Sequence, residues 1–577
     1  MKNTISILLA LFFTSNIYSQ YQDPIKTYPG IPLITYLNGL DTFKQVIDYQ
    51  KIDSAGVYGA QVYNINNSNY NTFLSSTNFK LLPDQADGIT NKYINRYTEA
   101  RYSVWEAEGT PPNDGLATLF RNNNYTTKLY DTTVITLNPP KDTKILYGPS
   151  YLQEVNYVVV DPGIIPYRAT YKLKLEDLVS TNNPLPNDTI CILRIFMADI
   201  PWDDTANMYD TVKTYVIDSV LQYKDFTKQW EPFNIDYELL DAWNYFFVQD
   251  APPHIPANLY RLKTLSTSEI VEKKLINNVE FQIIWTGDAN KVRLHIDKII
   301  SSDERGRNLF DPFLVPSIAS FIADQVTEQT NFKQRVAGWM AADEPTVIDQ
   351  FAPIKKVSEV VEDAGSSLWI AFINWFYGRF WDGGHPSATA NLVRIEEFMR
   401  RVKKANLWMN YYMFDWPFSS TFNPNGGDWK INTINAITDS CYCHYAAASQ
   451  LPGVDLFWGA SIQTGRIKYP IYGGADYWRE IHSPDLLYTT NLALLYGAKL
   501  ISPWLFFGAG DGVDWHYTSF LNPNPNGPIS PFLESDKYYT LKDTIAPRLS
   551  GLMGKILKKL TPSNQFAGSN GIETLIQ

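Results

Sequence analysis

Gly338-Trp339-Met340-Ala341-Ala342-Asp343-Glu344-Pro345 reads as a short apolar strand that runs into two adjacent carboxylates and stops at a proline. Proline lacks the N–H that a continuing strand would donate, and its fixed φ suits the first turn of a helix. The segment therefore predicts strand, turn and helix in immediate succession. On its C-terminal side apolar, β-prone runs alternate with amphipathic ones. Strands are predicted over 335–341, 367–373, 406–414, 454–462 and 498–505, with helices over 346–364, 392–404, 433–449 and 488–496 between them. That alternation is the pattern of parallel βα units.

The same rhythm precedes the segment, with strands predicted over 31–40, 55–63 and 80–84. Three strands and five make eight, so the expected fold is α/β, a (β/α)8 TIM barrel whose ring is closed by a helix over 540–559. Between the third and fourth strands the texture changes. Short alternating runs over 133–137, 171–175, 189–196, 214–221, 280–285 and 292–299 predict an antiparallel, jelly-roll-like β-sandwich inserted after the third barrel strand. The expected division is a signal peptide over 1–19, the first part of the barrel over 20–109, the sandwich over 110–310 and the rest of the barrel over 311–577. Two independent α/β domains flanking a sandwich are the alternative, but three βα units alone have no natural closure.

Composition narrows the partners. The formal net charge is −11, which argues against nucleic acid, because phosphate binding needs a basic surface. Lys2, the apolar run over 5–13 and Ser19 before Gln20 form a secretory signal, and predict export across the membrane. No later run reaches the roughly 18 apolar residues of a spanning helix, so no integral membrane segment is expected in the mature chain. Three cysteines cannot build a disulfide framework, and the spacing of Cys441, Cys443 and His444 does not fit a structural zinc site. Neither a metal nor a cofactor is expected. The 16 Trp and 37 Tyr exceed ordinary core needs. Flat aromatic faces pack against the C–H faces of sugar rings, so this excess suits a carbohydrate binder, and equally a large Tyr-rich β-protein.

The chemistry is expected at the acid pair. Two consecutive carboxylates repel each other, and apolar surroundings disfavour charge, so one of Asp343 and Glu344 should hold its proton to higher pH. A protonated carboxyl near neutrality is what a glycosidic oxygen needs when its bond breaks. The competing reading is an acid pair that caps a helix start, where the helix dipole favours negative charge.

Residues 338–345 resemble the Asp-Glu-Pro motif that ends the fourth strand of many secreted (β/α)8-barrel glycoside hydrolases. Residues 488–499 are similar to the helix and strand that enter their eighth strand, and 102–109 resemble uncharacterised secreted members of that group. The sandwich region resembles the non-catalytic, carbohydrate-binding-like modules attached to polysaccharide-degrading enzymes. The resemblance implies an exported glycoside hydrolase that cleaves O-glycosidic bonds of a polysaccharide or glycan, with Glu344 as general acid/base. The chain departs from that pattern at strand seven, which ends in Gln463 where a retaining enzyme carries its second carboxylate. Two routes remain open. In one, a 2-acetamido group of the substrate attacks the anomeric carbon while Asp343 orients it. In the other, Asp415, Glu480 or Asp511 serves as nucleophile or base. Asp415, Asn374, Asn410, Gln463, Trp375, Tyr412, Trp458 and Trp504 lie at or near strand ends and are the expected substrate-binding set, with Trp339 a further aromatic in a strand. A carbohydrate-binding protein that kept the architecture without turnover is the alternative function.

Overall fold

The computed structural model describes, in the main, residues 21–37, 44–62, 74–84, 92–107, 117–148, 166–178, 183–199, 213–238, 278–327, 333–342, 348–372, 398–409, 442–468, 480–508, 516–524 and 530–561. Eight strands run parallel to their neighbours: β1 (Ile34–Tyr36), β2 (Gly59–Val62), β3 (Lys80–Pro83), β4 (Trp339–Met340), β5 (Leu368–Phe372), β6 (Lys404–Met409), β7 (Asp455–Gln463) and β8 (Leu500–Trp504).

These strands do not form the closed eight-stranded barrel that the count predicts. Among the described residues they fall into a three-stranded parallel sheet, β1-β2-β3, and a five-stranded parallel half-barrel, β4-β5-β6-β7-β8. Among the described residues the two sheets meet through the single bridges Leu33 with Ile501 and Leu81 with Val336 and a few separate hydrogen bonds, such as Ile501 N to Pro32 O and Phe506 N to Tyr36 O, and not through a ladder. Strand length explains the break. β1 has three residues and β4 two, too few to carry a ladder on both edges. A large share of the remaining strands is antiparallel, which also departs from a pure barrel.

The antiparallel strands build two facing sheets. Pro166–Asp177 lies between Glu231–Glu238 and Val292–Ser302 in one, and Thr189–Asp199 lies between Lys213–Gln222 and Asn278–Trp285 in the other. Tyr167, Ala169, Tyr171, Leu173 and Leu175 alternate inward from the first sheet and join Cys191, Leu193, Ile195, Phe281 and Ile283 in one core. Tyr102–Glu106, grouped by sequence with the α/β part, pairs antiparallel with Val292–Ser302 instead. The cause is Trp105, fully buried and in register with Ile299 of the same core.

Period-two alternation separates the parallel strands into two faces. Leu33, Ala60, Leu81, Trp339, Leu368, Leu407, Trp458, Ala460, Ile462 and Ile501 pack with the helices Val46–Ser54, Phe351–Asp363 and Ser483–Leu495 in the largest core. Ile34, Leu82, Met340, Trp369, Ala371 and Leu500 form a separate cluster on the opposite face. Burial of each large side chain there is worth about 1.5–3 kcal/mol, enough to fix which way every strand faces. At the N-terminal end of the strands this second face is sealed by Asp23, whose carboxylate accepts from Ile25 N at 2.8 Å and reaches Asn406 Nδ2 at 3.5 Å. Burial raises the Asp23 pKa. Among the described residues no single helix is long and apolar enough to cross a membrane.

Candidate functional site

On the second face, side chains turn polar or aromatic towards the carboxyl ends of β1, β2, β3, β7 and β8. β1 goes from Ile34 to Tyr36 and β3 from Leu82 to Asp84 just beyond it. β2 ends with Gln61 on this face, β7 with Gln463 and β8 with Trp504. Carboxyl ends of parallel strands are where α/β sheets bind ligands, because the following loops open away from the packed core. Tyr36 and Trp504 have ring centroids 6.0 Å apart at 30°, forming an aromatic ledge. Thr35 Oγ1 ties β1 to β8 by donating to Pro503 O at 3.0 Å.

Register places Tyr36 beside Gln61 and Gln61 beside Leu82. Gln61 Nε2 donates to Asp84 Oδ2, and both residues are buried. Sequence reading did not single out this pair, although Gln61 stands out as the polar residue between Ala60 and Val62. Across the site, Gln463 is buried and its Nε2 donates to Gly465 O at 3.0 Å. Thr464, the next residue, donates from Oγ1 to Leu505 O at 2.7 Å. The end of β7 therefore offers a fixed amide, as expected from sequence, and no carboxylate.

Asp343 and Glu344 lie outside the described residues, but the chain that delivers them does not. Trp339 N donates to Ser367 O at 2.8 Å and Ala341 N to Trp369 O at 3.0 Å, holding β4 against β5. Ala342 then takes φ 51° while almost fully buried. Left-handed backbone costs a non-glycine residue about 1–2 kcal/mol, and such strain concentrates at functional turns. The acid pair thus follows directly on a strained turn at the carboxyl end of β4. Where a helix is predicted to begin at 346, the described residues show a 3-10 turn of helix over Ile348–Gln350 that leads directly into the α-helix Phe351–Asp363. Ala342→Gly should fold with unchanged stability, whereas Ala342→Val should lose about 2–3 kcal/mol in urea unfolding. A fully stable valine variant would mean that the turn is not imposed here.

The remaining expectations divide. Trp458 is not in the cleft: it is 1% exposed and packs with Tyr442 and Tyr445, centroids 6.0 and 5.2 Å away, on the helix-facing side of β7. Trp339 is likewise buried in that core. Alternation decides both, since each flanks a cleft-facing position. Trp504 and Gln463 do lie on the cleft face. Glu480 accepts from Lys537 Nζ and from Thr518 Oγ1, each at 2.5 Å, and so ties the helix Asp536–Thr540 to the segment after His516–Tyr517; burial lowers the pKa of Lys537. Asp415, Trp375, Asn374, Tyr412, Asn410, Asp511 and Cys441 lie outside the described residues. Among the described residues no group of three His, Cys, Asp or Glu could hold a metal ion.

No protein-family model matches the chain, and no curated protein matches it. Similar solved structures include a Glycosylation Associate Protein (Gap123) complex from Streptococcus agalactiae, with 7% identity, 76% of this chain and 89% of that chain covered, and a TM-score of 0.17. Another is a Podospora anserina GH26-CBM35 β-(1,4)-mannanase, with 9% identity, coverage of 70% and 91%, and a TM-score of 0.14. Scores of this size establish neither a shared fold nor a shared function.

Proposed function

We propose that the chain is an exported glycoside hydrolase acting on O-glycosidic bonds of a polysaccharide or glycan, with Glu344 as general acid/base. The observation that carries the reading is the group at the carboxyl ends of the parallel strands. Gln61, Asp84 and Gln463 supply fixed polar atoms, the Tyr36–Trp504 ledge supplies an apolar surface, and the strained exit of β4 leads straight into Asp343 and Glu344. Fixed polar groups beside an aromatic face suit a ring whose edges are hydroxylated and whose faces are C–H. Export is the function of Lys2, the apolar run over 5–13 and Ser19.

Gln463 shapes the mechanism, because an amide cannot act as the nucleophile that ends strand seven in an ordinary retaining enzyme. The route that needs no such carboxylate uses a 2-acetamido group. Its carbonyl oxygen bonds to C1 as the C1–O bond breaks, and Glu344 gives its proton to the departing oxygen. Water then attacks C1, Glu344 takes back a proton, and the acetamide is restored. Asp343 would orient the acetamide and balance its developing charge. Asp343→Asn should therefore cut turnover of N-acetylhexosaminides by about 10²-fold and spare substrates with a free 2-hydroxyl. Equal losses on both substrate classes would eliminate this route.

The reading is tested by measuring reducing-sugar release from a glycan panel with wild type and Glu344→Gln. Equal activity removes Glu344 from catalysis. The second reading, a carbohydrate-binding protein without turnover, is favoured by the same Gln463, and binding with no release by wild type would establish it.

A further inference from the structure

We infer that Gln61 and Asp84 together form a hydroxyl-binding pair that takes a neutral sugar unit through adjacent ring hydroxyls. The inference rests on the carbohydrate reading above and deepens it by naming the contact and the charge class of the ligand. Gln61 is the third residue of β2, and Asp84 directly follows the last residue of β3. Their side chains leave neighbouring strands on the same face, and Gln61 Nε2 donates to Asp84 Oδ2. The exposures are 8% for Gln61 and 4% for Asp84.

A purely architectural role is a poor account of this pair. Leu82, two residues earlier on the same face, already binds β3 into its apolar cluster. An apolar side chain in place of Asp84 would extend that cluster without withdrawing a carboxylate from water, which is costly even for paired charges. The carboxylate stands where the face turns from apolar to polar; its partner Gln61 is in register with Tyr36, whose ring lies tilted beside that of Trp504. Carboxylate and amide oxygens accept from hydroxyls, and the amide N–H donates, which matches groups that both donate and accept. The ledge would take the C–H face of the same ring. Carboxylate and sulfate groups have no proton to give these acceptors, whereas hydroxyls do, so the unit bound is neutral.

The test is calorimetric titration of neutral mono- and disaccharides, their single-deoxy forms and the matching uronates, into wild type, Asp84→Asn, Gln61→Met and Glu344→Gln. Melting curves report whether each variant is folded. Asp84→Asn should weaken neutral-sugar binding by about 30-fold and Gln61→Met by about 10-fold. The deoxy sugar that loses most on wild type should lose nothing further on Asp84→Asn, an outcome that general loosening of the fold would not produce. If Asp84→Asn does not fold, Gln61→Met, which keeps the carboxylate, decides the matter. Unchanged affinity in a folded variant, preference for a uronate, or no sugar bound by wild type would overturn the inference. Turnover that is lost in Glu344→Gln yet intact in Asp84→Asn and Gln61→Met sinks the pair and keeps the hydrolase reading. Binding that needs Asp84, with no turnover on any glycan, keeps the pair and sinks the hydrolase.

Discussion

On the proposed assignment, Glu344→Gln should lower kcat/KM on an unactivated glycan by about 10²–10⁴-fold, and far less on an aryl glycoside with an acidic phenol as leaving group. The difference follows from where the proton is needed. An alkoxide leaving group is a poor one, so bond cleavage depends on a carboxyl that gives up its proton in the transition state. A stabilised phenolate departs without that help, and the first step then proceeds in the glutamine variant. The wild-type pH profile should carry an alkaline limb, as Glu344 loses its proton, and the variant should lose that limb on the glycan. A glutamine variant that slows both substrates alike and keeps the limb would move the proton donor elsewhere in the cleft. Asp84, buried at the end of β3, would be the first residue to examine.

How far the sequence could be read differs from strand to strand, for physical reasons. The order of βα elements was legible because hydrophobic period and proline punctuation are local properties. All five parallel strands from β4 to β8 fall within the stretches where alternation predicts them, apart from shifts of up to two residues at their ends. Closure was not legible, because it depends on how many residues each edge strand can pair, and β1 and β4 turn out to be three and two residues long. Nothing in Ala341-Ala342 announces that the second alanine takes φ 51° and ends β4 early. The strand Tyr102–Glu106 falls in the stretch 20–109 expected to be barrel, yet it pairs with Val292–Ser302, since a five-residue strand with a Trp fits either partner. In the site, a nearby rule went unused. Along β7, Leu456, Trp458, Ala460 and Ile462 alternate with Phe457, Gly459, Ser461 and Gln463. If Gln463 faces the cleft, Trp458 cannot. The same alternation sets Gln61 apart from Ala60 and Val62. Being aromatic and lying in a strand was too weak a criterion; the parity of the position carries the information.

That parity separates two tryptophans which composition alone treats as equal. Trp458→Ala should cost about 3–5 kcal/mol, because the indole is fully buried against Tyr442 and Tyr445 and its loss leaves a cavity between β7 and the helices. Molecules that remain folded should bind sugar as well as wild type, since the ring faces away from Gln463. Trp504→Ala should do the reverse. Its half-buried ring contributes less to the core, and its removal strips the ledge that Tyr36 shares, so affinity should fall about tenfold or more with a smaller loss of stability. Urea unfolding and sugar titration on the same two proteins read both quantities. Were Trp458→Ala to abolish binding at unchanged stability, the facing of β7 would be reversed. Gln463, Gln61 and Asp84 would then have to be reassigned together, because register and alternation leave no way to turn one strand of a parallel sheet without losing the core its neighbours share.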